Sequence, residues 1–192
     1  MPKMNWNDVE ESKGNGGGFD IEPGAYTLVI TKAEAHPDRE YVRLYWDVAE
    51  GEQKGKYEDS QYPPSDIMSW KQTALGITKR KLHMLAEFNE GFKPSVAFDN
   101  DDWDAFVGKR FGAVVRNRLY TAGPNSKNPG ADRKAVEVAA YIDPDELKGG
   151  TWSKKLMEPR DQRDPQAKAA AEQREMLDAA AATDIADEDI PF

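Results

Sequence analysis

The sequence predicts a mainly β fold with a few short helices. Two runs alternate apolar and polar residues as half-buried strands do, one at 26–31 and one at 41–48. Two further runs, at 111–118 and 135–142, are rich in valine, alanine and isoleucine and also suit strands. Between these two pairs, the segment from Lys79 to Phe88 places apolar side chains at helical spacing, and Gly91 follows it as a stop.

The run at 41–48 divides into two faces of different chemistry. One face is entirely apolar and comprises Val42, Leu44, Trp46 and Val48. The other carries rings and charges and comprises Tyr41, Arg43, Tyr45 and Asp47. We therefore expect the apolar face in the core and the opposite face at the surface.

The remaining elements complete the predicted architecture. A third strand is expected at 57–62, stopped by Pro63-Pro64, and a short helix near Asp101 or Asp102 is expected to carry Trp103 and to end at Gly108. The last strand should face inward through Val136, Val138, Ala140 and Ile142. Five strands with a helix before the fourth is the order of an OB-fold, a partly open five-stranded Greek-key barrel. A β-sandwich is the alternative, but it usually needs about seven strands.

Composition indicates one domain with polar extensions, since only 39% of the 192 residues are hydrophobic. The glycine-rich run at 14–18 predicts a flexible N-terminal segment over 1–20, followed by the barrel over 21–147. Asp164-Pro165 is a favourable helix entry before an alanine-rich stretch, so 148–183 is predicted as a partly helical spacer. Residues 184–192 form an acidic tail.

The net charge of −9 is unevenly distributed. The segment from Glu158 to Phe192 holds ten acidic and four basic side chains. The segment from Lys109 to Lys134 holds seven basic side chains and a single acidic one. The chain therefore combines a basic surface on its body with an acidic tail, an arrangement that permits binding to nucleic acid.

Several classes of function are disfavoured by the residue types. The chain has no cysteine, which excludes disulfides and thiolate sites and favours a reducing cytoplasm. His36 and His83 have no ligand spacing around them, and the contiguous acidic run at 99–104 is better explained by helix capping than by a metal site. We expect neither cofactor, metal, membrane segment nor catalytic site. A nucleic-acid enzyme using the acidic run is the least favoured alternative.

The last residues combine acids with an apolar end: Asp187, Glu188, Asp189, Ile190, Pro191 and Phe192. One pocket with an arginine can read a terminal phenylalanine ring and its carboxylate together, while the acids meet a basic rim. This ending resembles the tail of bacterial single-stranded DNA-binding proteins, an acidic cluster followed by Ile-Pro-Phe. An ordinary acidic terminus is the alternative.

A second resemblance covers residues 5–145. The segments Asn5-Trp6-Asn7-Asp8-Val9-Glu10-Glu11, Pro23-Gly24-Ala25-Tyr26 and Val107-Gly108-Lys109-Arg110 are similar to bacteriophage OB-fold single-stranded DNA-binding proteins. The resemblance implies sequence-nonspecific binding of single-stranded DNA during replication, recombination or repair in the host cytoplasm. It also implies that the tail recruits a polymerase, helicase, primase or nuclease. The alternative is an OB-like interaction module that mimics the host tail without binding DNA.

DNA contact requires aromatic rings for stacking and cations along the phosphates. The candidates are Tyr41, Arg43, Tyr45, Trp70, Lys71, Arg116, Arg118 and Tyr120. For the strand residues the alternative is an ordinary solvent face, and for Trp70 it is packing within the domain. Lys79-Arg80-Lys81 is better explained as the solvated start of a helix.

Overall fold

The computed structural model describes residues 21–123, 126–166, 169 and 173. Within them the chain is mainly β, with one six-stranded sheet and a few short helices. The strands are β1 (Gly24–His36), β2 (Tyr41–Val48), β3 (Ser65–Ser69), β4 (Arg110–Thr121), β5 (Asp132–Ile142) and β6 (Arg160–Gln162). The helices are α1 (Leu75–Phe88), α2 (Pro94–Asp99) and α3 (Pro144–Gly149).

The sheet follows the order β3-β2-β1-β4-β5, and all neighbours on this path are antiparallel. The path is not closed, because β3 and β5 form its two ends. β6 lies off the path and pairs in parallel with β4. The segment predicted as a spacer therefore includes a strand of this sheet.

Two bulges change which side chains face the core. On β1 the register shifts between Ile30 and Lys32, so that Ile30 faces the core before the shift and Ala33 packs against it afterwards. On β5 the shift lies between Val138 and Ala140. The prediction that Ala140 faces inward is therefore wrong, and the buried Tyr141 takes the core position instead.

The core confirms the predicted inner face of β2. Val42, Leu44 and Trp46 are fully buried, and Val48 is nearly so. Phe106 and Phe111 add two more fully buried rings. Asp47 departs from the prediction, because it is only 5% exposed. Its Oδ1 accepts hydrogen bonds from the backbone N–H groups of Val48 at 2.7 Å and Tyr57 at 3.0 Å, which satisfies the buried carboxylate.

The third strand is not where the sequence predicts it. Residues 57–59 form turns, and the strand begins at Ser65, after Pro63-Pro64 instead of before them. Tyr57 packs edge-on against Trp46 with ring centroids 5.8 Å apart. The Tyr57 ring is therefore part of the core, although residue 57 does not belong to a strand.

The helical region is longer than predicted. α1 begins at Leu75, four residues before the expected start, and α2 was not predicted. The helix expected near Asp102 is a short 3-10 segment, Asp104–Phe106. The N-cap of this segment is Trp103 and not Asp101 or Asp102, although the Asp102 carboxylate accepts from the Ala105 N–H at 3.3 Å. Gly108 follows with φ 80°, so the predicted stop is confirmed.

The C-terminal part of the described chain packs onto the sheet through β6. α3 begins with a capping box between Asp143 and Glu146. At the predicted helix entry, Asp164 Oδ1 accepts from the Gln166 N–H at 2.9 Å. The predicted flexible segment 1–20, most of the alanine-rich stretch and the tail 184–192 lie outside the described residues. Among the residues described, no helix is long and apolar enough to cross a membrane.

Candidate nucleic-acid interface

Side chains that point away from the core on β1, β2 and β3 form three cross-strand rows. The rows are Lys32–Tyr45–Ser65, Glu34–Arg43–Ile67 and His36–Tyr41–Ser69. Directly paired residues of antiparallel strands lie on the same side of a sheet, so these nine residues share one surface. We call this surface the outer face. It brings together three of the predicted DNA-binding residues, Tyr41, Arg43 and Tyr45.

Both tyrosine rings of the outer face are supported from the β1 side. Lys32 Nζ lies 5.3 Å from the centroid of the Tyr45 ring. The Tyr45 hydroxyl donates to Glu34 Oε2 at 3.0 Å, and this hydrogen bond is the main reason why the pKa of Glu34 is lowered. The ring of His36 lies 4.8 Å from that of Tyr41. On the opposite side, β3 presents the small side chains of Ser65 and Ser69 to the two tyrosines.

Arg43 lies between the two tyrosines on β2. Its Nη2 donates to the Tyr41 hydroxyl at 3.3 Å, and its guanidinium lies 5.9 Å from the centroid of that ring. Hydrogen bonding to Tyr45 is the main cause of a raised pKa of Arg43. The guanidinium is cationic at neutral pH, as every arginine is. A cation therefore stands between two tyrosines whose Cα atoms lie about 13 Å apart along the strand.

Ile67 is a member of the outer face that sequence reasoning missed. Its side chain is 46% exposed and lies opposite Arg43. It was missed because the third strand was placed before the prolines. The alternation in Ser65–Ser69, with the fully buried Met68 beside Ile67, is the signal that could have found it.

Trp70 and Lys71 follow the end of β3, close to Tyr41. The Trp70 ring stacks on Trp103 at 5.9 Å with an interplanar angle of 14°, and it meets Phe98 edge-on at 6.3 Å. This favours the packing role for Trp70, because its ring holds the segment after α2 against the end of β3. Lys71 is exposed beside it and adds a cation to this end of the outer face.

Arg116, Arg118 and Tyr120 share a face of β4, as predicted, but two of them are engaged. Arg116 Nε donates to Glu137 Oε1 at 2.8 Å, and Arg118 Nε lies 3.9 Å from the second oxygen of that carboxylate. The Arg116 side chain is only 21% exposed, so it resembles a structural ion-pair partner. Arg118 lies 5.3 Å from the centroid of the Tyr120 ring and is more accessible.

The structure does not bring the two groups of predicted residues together. Tyr41 pairs with His36 at the end of β1, whereas Arg116 lies one residue beyond Val115, the partner of Gly24 at its start. Tyr45, the nearest of the first group, pairs with Lys32, so about 26 Å of β1 lies between it and Gly24. A ligand that contacts both groups must be long.

Among the described residues, which include the acidic run at 99–104, no group of three or more histidines and carboxylates is arranged to hold an ion. No protein-family model matches this chain, and neither does any curated protein.

Proposed function

We propose that this protein binds single-stranded DNA without sequence preference and that its outer face holds the strand. The observation that carries the proposal is the arrangement of Tyr41, Arg43 and Tyr45, two surface rings with a hydrogen-bonded cation between them. Every base has a π-face, so stacking accepts any sequence, and the cation neutralises a phosphate. The protein is a binding protein in this proposal, with no catalytic site and no cofactor.

The side of each ring that receives a base follows from its neighbours. Lys32 and His36 occupy the β1 side of Tyr45 and Tyr41 respectively. The bases therefore stack on the β3 side, above the serines at the ends of β3. Ile67 lies between these two positions and offers an apolar contact to both.

An OB-fold agrees with the sheet order and with the position of α1 between β3 and β4. If β3 met β5, the path β3-β2-β1-β4-β5 would close into a five-stranded ring. Side chains already connect these two ends, since the Tyr141 hydroxyl donates to Asp66 at 2.9 Å. OB-folds bind oligonucleotides on the face of their second and third strands, and in this chain those strands carry the outer face.

The tail supplies the second half of the proposed function. Residues 187–192 recruit a replication or recombination protein of a phage-infected cell, acting in the host cytoplasm, through the terminal phenylalanine and the preceding acids. DNA binding and recruitment are then carried by separate parts of one chain.

A titration with oligo-dT, followed by intrinsic fluorescence, tests the DNA-binding half. Quenching by the wild-type chain and its weakening in Tyr41→Ala and Tyr45→Ala are expected, because both rings stack on bases. Tyr62→Ala is the matched control, since Tyr62 is 67% exposed but lies outside the outer face. Equal weakening by all three variants would refute the assignment of the outer face.

Charge favours a second function, an interaction module that mimics the host tail and binds no DNA. Glu34 lies in the middle of the outer face and offsets Lys32, with which it forms an ion pair at 3.3 Å. The outer face is thus only weakly basic. A flat oligo-dT titration together with intact tail-dependent protein binding would establish this function in place of the first.

A further inference from the structure

We propose that this protein has a second phosphate-binding surface, which lies beyond the start of β1 and includes Arg160 of β6. This surface binds the part of a single strand of DNA that extends past the outer face. This inference rests on the proposed function, because it assigns a further contact to the same ligand.

The surface exists because β4 extends beyond the start of its partner β1. β1 pairs with β4 from Arg110 to Val115, and β6 takes the following stretch, with Arg160 opposite Arg118 and Gln162 opposite Tyr120. Paired residues share a face, so Arg160 lies on the side of β4 that carries Arg118. A residue outside the predicted barrel thereby joins the predicted DNA-binding residues of β4.

We call the resulting surface the distal face. It comprises Arg116, Arg118, Tyr120, Arg133, Glu137 and Arg160. The distal face has four arginines and one carboxylate, that of Glu137. Arg116 and Arg118 form ion pairs with this carboxylate. Arg133 and Arg160 are exposed and give the distal face a cationic excess. The complementary ligand is therefore a polyanion such as a phosphate backbone.

The distal face repeats a feature of the outer face. Arg118 lies over Tyr120, two residues away on the same strand, as Arg43 lies over Tyr41. Each pair offers one cation and one ring, the combination that tracks a single strand. The two pairs lie near opposite ends of β1, so a strand long enough to span it can engage both.

The residues that follow Arg160 make contacts that fix its position on the sheet. Arg163 donates to both oxygens of Asp161, and Arg163 Nη1 lies 3.7 Å from Asp132 Oδ2 on β5. The Asp164 N–H donates to Thr121 Oγ1 at 2.8 Å. Arg160 is itself exposed, so its replacement removes a charge while these contacts remain.

A length series of oligo-dT tests the inference, from about 4 to about 32 nucleotides, a range that includes the site sizes of single OB-folds. Arg160→Ala should leave the Kd of the shortest bound oligonucleotide unchanged. For the longest it should weaken binding roughly tenfold, the effect of one lost charge-assisted hydrogen bond. For Arg160→Ala, the slope of log K against log salt concentration should fall by about 0.7. Arg160→Lys should retain most of the affinity.

Lys93→Ala is the control, because it removes an equal charge from an exposed residue at the start of α2. An Arg160→Ala effect that is absent at every length, or equal at every length, overturns the inference. If the effect disappears in a chain ending at residue 183, the distal face binds the acidic tail and not DNA, which also overturns it. Failure of the proposed function is distinct, because the wild-type chain would then bind no oligonucleotide at all.

Discussion

The Tyr141 hydroxyl donates a 2.9 Å hydrogen bond to Asp66 and so joins β5 to β3, the two ends of the open sheet. Lys81 of α1 binds the same carboxylate, donates to the Ile67 carbonyl at 2.8 Å, and lies 5.1 Å from the Tyr141 ring centroid. Three side chains thus connect two strands and a helix where no backbone ladder joins the ends. They also fix the strand that carries Ile67.

Tyr141→Phe should lower the free energy of unfolding by about 1–2 kcal/mol, because it removes one hydrogen bond to a charged group at a buried position. Urea denaturation measures this change. Tyr62→Phe, at an exposed site, should have no effect and serves as the control. Equal stability of Tyr141→Phe and the wild-type chain would show that the bond contributes nothing to joining the sheet ends.

The same hydroxyl predicts a pH dependence of stability. Burial, followed by the charge of Asp66, raises the pKa of Tyr141 well above 10. The folded state therefore holds this proton at pH values where the unfolded state releases it. The contribution is complete below about pH 10 and is lost as the pH rises towards the folded pKa. Denaturation of wild-type and Tyr141→Phe chains in parallel should show their stability difference shrinking above pH 10; a constant difference would contradict it.

The two faces of β2 should respond differently to truncation. Tyr41→Ala and Tyr45→Ala should each cost about 1–3 kcal/mol of DNA-binding free energy and leave the fold intact, because they remove stacking rings at the surface. Trp46→Ala should instead lower the free energy of unfolding by about 3–5 kcal/mol, because its side chain is fully buried. Oligo-dT titration and urea denaturation of all three variants separate the effects, and a reversed pattern would mean that the faces are exchanged.

Arg43 and Arg116 should differ as phosphate ligands. Oligo-dT affinity should fall with rising salt, and Arg43→Ala should reduce the slope of log K against log salt by about 0.7, as the loss of one phosphate contact does. Arg116→Ala should change this slope less, because its Nε binds Glu137 at 2.8 Å and its side chain is mostly buried. Titrations at several salt concentrations compare the two. A larger change of slope for Arg116→Ala than for Arg43→Ala would contradict this prediction. It would indicate that the main phosphate contact lies on β4.

Removal of Phe192 should abolish recovery of host replication proteins in a pull-down, because its ring is the proposed apolar anchor in the partner's pocket. Oligo-dT affinity should not weaken. Removal of residues 184–192 should tighten DNA binding at low salt if their acids compete for cationic surfaces. Equal recovery by intact and truncated chains would disprove the tail assignment.

Sequence reasoning succeeded where alternation was regular. The bounds of β2 and its buried face were predicted because Val42, Leu44 and Trp46 recur at every second position. It failed where long-range contacts decide. The side chain of Tyr57 looks like that of a strand residue but packs on Trp46, and the pairing of β6 with β4 joins residues 42 positions apart.

The candidate site was predicted in part for the same reason. The tyrosines and arginine of β2 follow from a local pattern. Their neighbours on β1 and β3 depend on register, which no local pattern supplies. The engagement of Arg116 by Glu137 likewise depends on the pairing of β4 with β5.

Thr31 is the extra residue of the β1 bulge, between Ile30, the partner of the buried Trp46, and Lys32, the partner of the outward Tyr45. Side chains alternate along a strand, so a regular strand that kept Thr31 in the ladder would turn Lys32, Glu34 and His36 inward and expose Ala33. Deletion of Thr31 would instead place Lys32 directly after Ile30 in the alternation that the sheet already has, and the outer face would keep its side chains. The composition of the outer face therefore depends on where the ladder skips a residue and not on which residue is skipped.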